Sequence, residues 1–299
     1  MKHVFLLNPV AGTGKFQQGL SDRIAAAAKK LGVEYEIHET TCYGDARDFT
    51  AAYEPGTEAR FYAIGGDGTL NETVNGIFRR KGYSELALFP CGTGNDFIRV
   101  FPNKDLFFDI EKQITAKAHA IDAIGTDRGI YGINMINVGV DADTAAEVHR
   151  FSRFFPGTMA YVTSLLNRLR HKLGTVIELT VDEKPPFSEE FILSSVSNGK
   201  ACGGGFFASP RADLTDGLLE ITSVRTLKRR QFFTMVAGYK NGTYLDDPKY
   251  APYIIYQRGK KVTLKTPEPM NICIDGEIFR SDHLTAEILP KAIPFVQPE

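Results

Sequence analysis

The sequence predicts an α/β N-terminal lobe with a mostly parallel sheet, followed by a larger antiparallel β-rich C-terminal lobe. Three observations carry this. Strand-like apolar runs alternate with amphipathic helical stretches through the first third of the chain. The glycine-rich turns of that third each follow a strand, as ligand-binding turns of an open parallel sheet do. From about Ile121 onward the texture changes to longer β-rich stretches divided by turn signals.

In order, Val4 to Leu7 reads as a strand, and Leu20, Ile24, Ala28 and Leu31 recur at helical spacing. Val33 to His38 is a second strand, Ala46 to Tyr53 a helix, and Phe61 to Ile64 a third strand. Leu70, Val74, Ile77 and Phe78 form the apolar stripe of the next helix, and Leu86 to Phe89 is a fourth strand. Beyond Ile121, strands are expected at Gly174 to Val181, Phe191 to Val196, Leu218 to Val224, Tyr253 to Lys265 and Asn271 to Ile274. One helix interrupts them with Tyr161, Leu165, Leu169 and Leu173 on one face, and a second covers Arg229 to Gly238. The expected division is residues 1–121, residues 122–288, and a tail, 289–299, packing back on the first lobe.

A length of 299 residues suits two domains, and 43% hydrophobic with 24% charged residues is ordinary for a soluble protein. The longest apolar runs fall short of a membrane span, and no secretory pattern opens the chain, so a cytoplasmic protein is expected. Cys42, Cys91, Cys202 and Cys273 are scattered without a C-x-x-C pair and read as reduced and structural. A net charge of −1 offers no global attraction to nucleic acid or to an anionic membrane. Any membrane contact is therefore local. Lys228-Arg229-Arg230 before Phe232-Phe233 is the best candidate, although a solvated helix start with an apolar inner face is the favoured reading.

The most informative stretch is Ala63-Ile64-Gly65-Gly66-Asp67-Gly68-Thr69-Leu70-Asn71, three glycines and a carboxylate between a strand and a helix. Glycine there lets the unpaired N–H groups of a helix N-terminus meet phosphate oxygens. A carboxylate beside phosphate repels it unless a divalent cation intervenes, so Asp67 implies magnesium. An N-capping Asp in a plain turn is the alternative. The first strand ends in Asn8-Pro9-Val10-Ala11-Gly12-Thr13-Gly14-Lys15, which is no Walker loop: Pro9 stands where glycine is needed and Phe16 where a hydroxyl is needed. A third turn, Pro90-Cys91-Gly92-Thr93-Gly94-Asn95-Asp96, supplies neutral donors and acceptors, with Asp96 placed to cap a helix.

With these turns on the page, the chain resembles the catalytic domain shared by diacylglycerol kinases, sphingosine kinases and bacterial soluble lipid kinases. The resemblance continues through Asn198-Gly199 with Gly203-Gly204-Gly205, then Asp213-x-x-Asp216-Gly217-Leu218-Leu219, and Asp275-Gly276-Glu277. It implies a fold like that of NAD kinases and phosphofructokinases, and an ATP-dependent transfer of phosphoryl to diacylglycerol or a related lipid. It implies that Asn8, Lys15, Thr41, Gly65, Gly66, Gly68, Thr69, Asn71, Gly92, Thr93 and Asn95 line the nucleotide site. Asp67 would organise the catalytic magnesium, with Asp122 in the same acidic network. Asp275 would be the general base and Glu277 its orienter, while Asp213, Asp216 and the Leu218 carbonyl would hold a second, structural magnesium. A polar turn is the alternative for Asp213 and Asp216, and an Asp-Gly hairpin turn for Asp275.

There are departures. Cys202 stands where the family usually has an aromatic residue, and a phosphate-facing lysine found in some members has Arg168, Lys172 or neither as its stand-in here. The implied partners are ATP and a lipid met peripherally at a membrane surface, with a homodimer left open and nucleic acid excluded. The competing readings are a kinase of a soluble hydroxyl compound, resembling NAD kinases, and an inactive nucleotide-binding regulator. The Phe206-Phe207 and Phe154-Phe155 pairs lean towards lipid.

Overall fold

The structure, a computed structural model, describes all residues except 13–18, 153, 154, 156, 157 and 172, and only the backbone of 149, 150, 152, 158 and 161. Two units divide it: Met1–Ile121 with Lys291–Glu299, and Asp122–Pro290.

In the first unit, strands β1 (Lys2–Leu7), β2 (Tyr35–Glu39), β3 (Ala59–Gly65) and β4 (Ser84–Pro90) alternate with helices α1 (Leu20–Leu31), α2 (Asp45–Ala52) and α3 (Asp67–Arg79). A further short helix, α4, covers Ile110–Thr115. The strands lie in the order β2, β1, β3, β4, every pair parallel. Every residue of β3 and β4 is buried, which is why both read as unbroken apolar runs. Phe295 in the returning C-terminal segment pairs in parallel with Leu86 and stacks among Phe97, Phe101 and Phe107. Arg80, buried at the end of α3, donates to the carbonyls of Tyr53, Glu54, Thr57 and Tyr83, so one guanidinium ties together the loops that precede β3 and β4.

The second unit holds the body of β5 (Ala118–Thr126), with β6 (Tyr131–Gly132), β7 (Met135–Gly139), α5 (Val140–Ser152) and α6 (Thr158–Arg168) following. Next come β8 (Thr175–Val181), β9 (Phe187–Ser197), β10 (Leu219–Arg225), α7 (Arg229–Asn241), β11 (Ile254–Gly259), β12 (Lys261–Ile274) and β13 (Glu277–Val296). Its pairings are antiparallel: β11 with β10, β10 with β9, β9 with β7, β7 with β12, and β12 with β13. Ile136, Val138, Val196, Ile221, Ile272 and Leu284 lie in one buried cluster on these strands, a core several strands wide.

The structure corrects five boundaries. The second strand starts at Tyr35 and not Val33, because the Val33 N–H is spent on the Ala28 carbonyl in closing α1 behind Gly32. Tyr253 to Lys265 is two strands, pinched apart where Asp182 Oδ1 accepts from the N–H groups of Lys260 and Lys261. The stretch at Asn271 is the far end of β12, beyond a register shift between Lys265 and Met270 that spans Pro267 and Pro269. Helix α6 ends at Arg168, where i to i−3 bonds from Arg170 and His171 tighten its last turn. Helix α7 runs on to Asn241 and stops at the left-handed Gly242. Helices α4 and α5 lie outside the expected elements.

Candidate active site

Three turns at the carboxyl ends of β1, β3 and β4 are knitted together in the first unit. A Cβ on Gly92 would lie 2.3 Å from the Gly66 Cα, so the second and third turns approach as closely as they do only because neither residue has a side chain. Asn8 Nδ2 donates to Thr69 Oγ1 at 2.9 Å, which ties the first turn to the second. Asp67 is the first residue of α3, behind Gly66 at the N-cap. Its Oδ1 accepts from the N–H groups of Asp96 at 2.8 Å and Phe97 at 3.3 Å. That carboxylate does for the third turn what Asp96 was expected to do: Asp96 stands at the cap position without capping, and Arg99 Nε lies 3.2 Å from its Oδ1.

The α3 N-terminus is left as an anion-binding edge. Gly68 is exposed, and nothing lies within 4 Å of where its Cβ would stand, so a phosphate has room above the first-turn N–H groups. Gly65 and Thr69 are buried at its base and Asn71 beneath it, where Asn71 accepts from Asn75 Nδ2 at 3.1 Å. Thr93 is exposed on the third turn. Asn95, left-handed with φ of 47°, folds its amide back onto the Pro90 and Gly92 carbonyls, so it braces the turn. Thr41 is turned towards Asp45, whose Oδ2 accepts from its N–H at 2.7 Å and its hydroxyl at 2.8 Å. That Thr41 N–H, with His38 beside it, holds the Asp45 carboxyl below its usual range. Lys15 lies outside the described residues.

In the second unit Asp275 sits in a two-residue hairpin loop between Ile274 and Glu277, with φ of 48° followed by 95° at Gly276, the backbone of a type I′ turn. Its carboxylate accepts from three successive N–H groups, those of Ile133 at 2.7 Å, Asn134 at 3.2 Å and Met135 at 2.7 Å. Behind this cradle Asn198 Nδ2 donates to the Ile133 carbonyl at 2.8 Å and the Asp122 carbonyl at 3.0 Å, and Gly199 N–H donates to the Asn134 carbonyl at 2.7 Å. Asp122 is fully buried and accepts from Gly217 N–H at 2.7 Å. The structure thus joins Asp122, Asn198-Gly199, the Asp213 to Gly217 loop and Asp275 in one network. The three N–H donors of the cradle left no signal in the sequence, because backbone donors belong to every residue.

Two donor sets for a divalent cation differ in how well they fit. At Asp67, a hard carboxylate oxygen stands at the rim of an N–H-lined turn, the kind of single ligand that suits magnesium arriving on nucleotide phosphates. The Asp213 to Leu218 loop does not fit as folded. Asp213 Oδ1 is taken by the N–H and hydroxyl of Thr215, and Asp216 accepts from Leu218 N–H and is paired with the Arg258 guanidinium. Arg258 also reaches the buried Glu220 at 2.8 Å. Among the described residues no group of three or more His, Cys, Asp or Glu is placed to hold a metal. Arg168 is likewise engaged, its Nε 2.8 Å from Asp143 Oδ2, and Lys172 lies outside the described residues. Phe206 is part of the buried core, and Phe154 lies outside the described residues.

The chain is similar to known proteins over most of its length. The diacylglycerol kinase catalytic domain matches residues 2–126, and the YegS C-terminal NAD kinase beta sandwich-like domain matches residues 134–297. A diacylglycerol kinase of Bacillus subtilis (strain 168) is 29% identical over 277 residues, covering 91% of this chain and 88% of that protein. A protein of Staphylococcus haemolyticus, named provisionally as a lipid kinase, is 30% identical over 236 residues, 78% of this chain and 74% of its own. A crystal structure from Bacillus anthracis, also of a provisionally named diacylglycerol kinase, shares the fold with a TM-score of 0.73 at 23% identity, over 99% of this chain and 96% of that one.

Proposed function

This chain belongs to the diacylglycerol kinase catalytic-domain family of lipid kinases, and from that premise we propose that it transfers the γ-phosphoryl of ATP to a hydroxyl of diacylglycerol or a closely related lipid. The observation that carries this reading is the bare, open N-terminus of α3 at Gly66 to Thr69, held by Gly92 and the Asp67 carboxylate. Phosphoryl transfer asks chiefly for in-line positioning and neutralisation of developing charge, and a fixed row of N–H groups supplies both without reorganising. Magnesium carried on the nucleotide adds charge neutralisation, with Asp67 as the residue that would hold it.

A hydroxyl nucleophile also needs a carboxylate to take its proton. Asp275 takes that role on the resemblance, with its carboxylate fixed in place by three backbone N–H groups, and Glu277, partly exposed two residues on at the start of β13, would orient it.

The test is direct. Purified protein with ATP, magnesium and mixed micelles of lipid should yield phosphatidic acid from diacylglycerol. A wild-type protein that phosphorylates nothing across a broad lipid panel, while turning over ATP with a soluble hydroxyl compound, would refute the lipid assignment.

A further inference from the structure

Two guanidinium groups clamp the loop from Arg211 to Leu218 against strand β11. At its start, the Arg211 guanidinium lies 5.0 Å over the centre of the Tyr256 ring and pairs with Asp246 at 2.5 Å. At its end, Arg258 pairs with Asp216 and, at 2.8 Å, with Oε1 of Glu220. Strand register explains the second clamp. Arg258 stands directly opposite Glu220 in the antiparallel pair of β10 and β11, so its side chain leaves the sheet on the same face as the carboxylate. Glu220 is 2% exposed, and a carboxylate so buried needs a cation.

This loop is also where the family resemblance implies a structural magnesium. Magnesium demands near-octahedral oxygen ligands, and here hydrogens already point at the oxygens. Asp213 Oδ1 accepts from the N–H and the hydroxyl of Thr215 at 2.9 and 2.8 Å, and Asp216 Oδ1 accepts from Leu218 N–H at 3.0 Å. The other Asp216 oxygen meets the guanidinium. A dication brought to that carboxylate would stand beside a positive charge fixed on a strand, and the two would repel. The loop also reaches the buried carboxylate of the second unit, since Gly217 donates its N–H to Asp122 Oδ2 at 2.7 Å.

We propose that Arg258 is the resident cation of this loop and replaces the structural magnesium that the resemblance implies, so that the loop under Asp122 holds its shape without a metal ion. One guanidinium serves two carboxylates, the half-exposed Asp216 of the loop and the buried Glu220 of β10, and so joins the loop to the sheet.

The test follows thermal denaturation of the full chain without nucleotide, in a chelator and in millimolar magnesium. The wild type should melt at the same temperature in both, whereas a site filled at about a hundred times its Kd would raise melting by roughly 5–10 °C. Magnesium stabilisation that Asp213→Asn abolishes would overturn the proposal; stabilisation that survives Asp213→Asn arises elsewhere and supports a metal-free loop. Arg258→Gln strands Glu220 and should lower melting by about 5–10 °C in the chelator. Magnesium should then recover part of the loss, because the released carboxylates become oxygen donors. A variant as stable as wild type would overturn the proposal. So would one that is destabilised and indifferent to magnesium, because Arg258 would then be a simple ion pair. Where Arg258→Gln does not fold, Arg258→Lys carries the test: an ammonium cannot meet both carboxylates as the planar fork does, so this variant should melt below wild type and gain from magnesium, and wild-type behaviour would overturn the bridge. The readout is thermal, so no outcome depends on which hydroxyl compound the protein phosphorylates.

Discussion

In the first unit the binding elements are backbone, brought together by absent side chains and pinned by one carboxylate; in the second they are carboxylates, each pinned by backbone. Asp67 holds the third turn by accepting N–H bonds from Asp96 and Phe97, and Asp275 is held by N–H bonds from Ile133, Asn134 and Met135. The same donor–acceptor pair thus serves in both units with the roles of fixed and fixing group reversed. This difference teaches how each should fail. A site made of glycine backbone is broken by adding atoms. A site made of anchored carboxylates is broken by changing charge, and where it breaks depends on which carboxylate acts and which anchors.

The largest effect is expected in the second unit. Asp275→Asn should cut kcat by about 10² to 10⁴, the usual worth of a general base, and also lower the melting temperature, because an amide offers its NH₂ to N–H donors that need acceptors, a loss of about 1–3 kcal/mol for each buried group left unsatisfied. Glu277→Gln should cost less in kcat and leave the melting temperature near wild type. A larger kcat loss in Glu277→Gln than in Asp275→Asn would move the base to Glu277. In the first unit Gly92→Ala must push the turns apart against the Gly66 backbone, and about a hundredfold loss of kcat/KM is expected from displacement on the scale of 1 Å. Gly68→Ala sharpens the contrast, since its Cβ enters open space. It should keep stability and lose activity only through crowding the phosphates, so an unchanged KM for ATP would remove the α3 N-terminus from the nucleotide site.

Periodicity made the parallel strands and their turns legible, because β3 and β4 are buried on both faces and their apolar runs are short and sharply ended. Position on a turn was legible too; orientation was not. Asn95 and Thr41 are polar residues in the right places whose side chains satisfy neighbouring groups, and nothing in their identity tells an amide that braces a turn from one that meets a ligand. Helix α5 lies outside the expected elements although Asp141 and Asp143 in its first turn are a fair start signal. The pairing of Arg258 with Asp216 joins residues 42 positions apart, which no local pattern records.

A last expected effect separates the units by pH. Burial pushes the Asp141 carboxyl up to about 6, against the hydrogen bond from Tyr239 at 2.6 Å that favours its charged form. Its folded pKa is raised, so its contribution is present in full below about 3.8 and is lost as pH rises through about 6. Burial, and then the Arg60 charge, lower His3 to about 4 in the first unit. Its folded pKa is depressed, so its contribution is present above about 6.5 and is lost as pH falls through about 4. The two slopes oppose one another across the same window and flatten the wild-type curve. Asp141→Asn should leave the His3 slope exposed, so that the variant gains on wild type by up to about 3 kcal/mol as pH rises from 4 to 6. His3→Gln should do the reverse and leave a chain that loses stability on the same rise. Thermal denaturation of the three proteins from pH 4 to 7 measures both differences; parallel curves would mean that neither buried group titrates against its unit's stability.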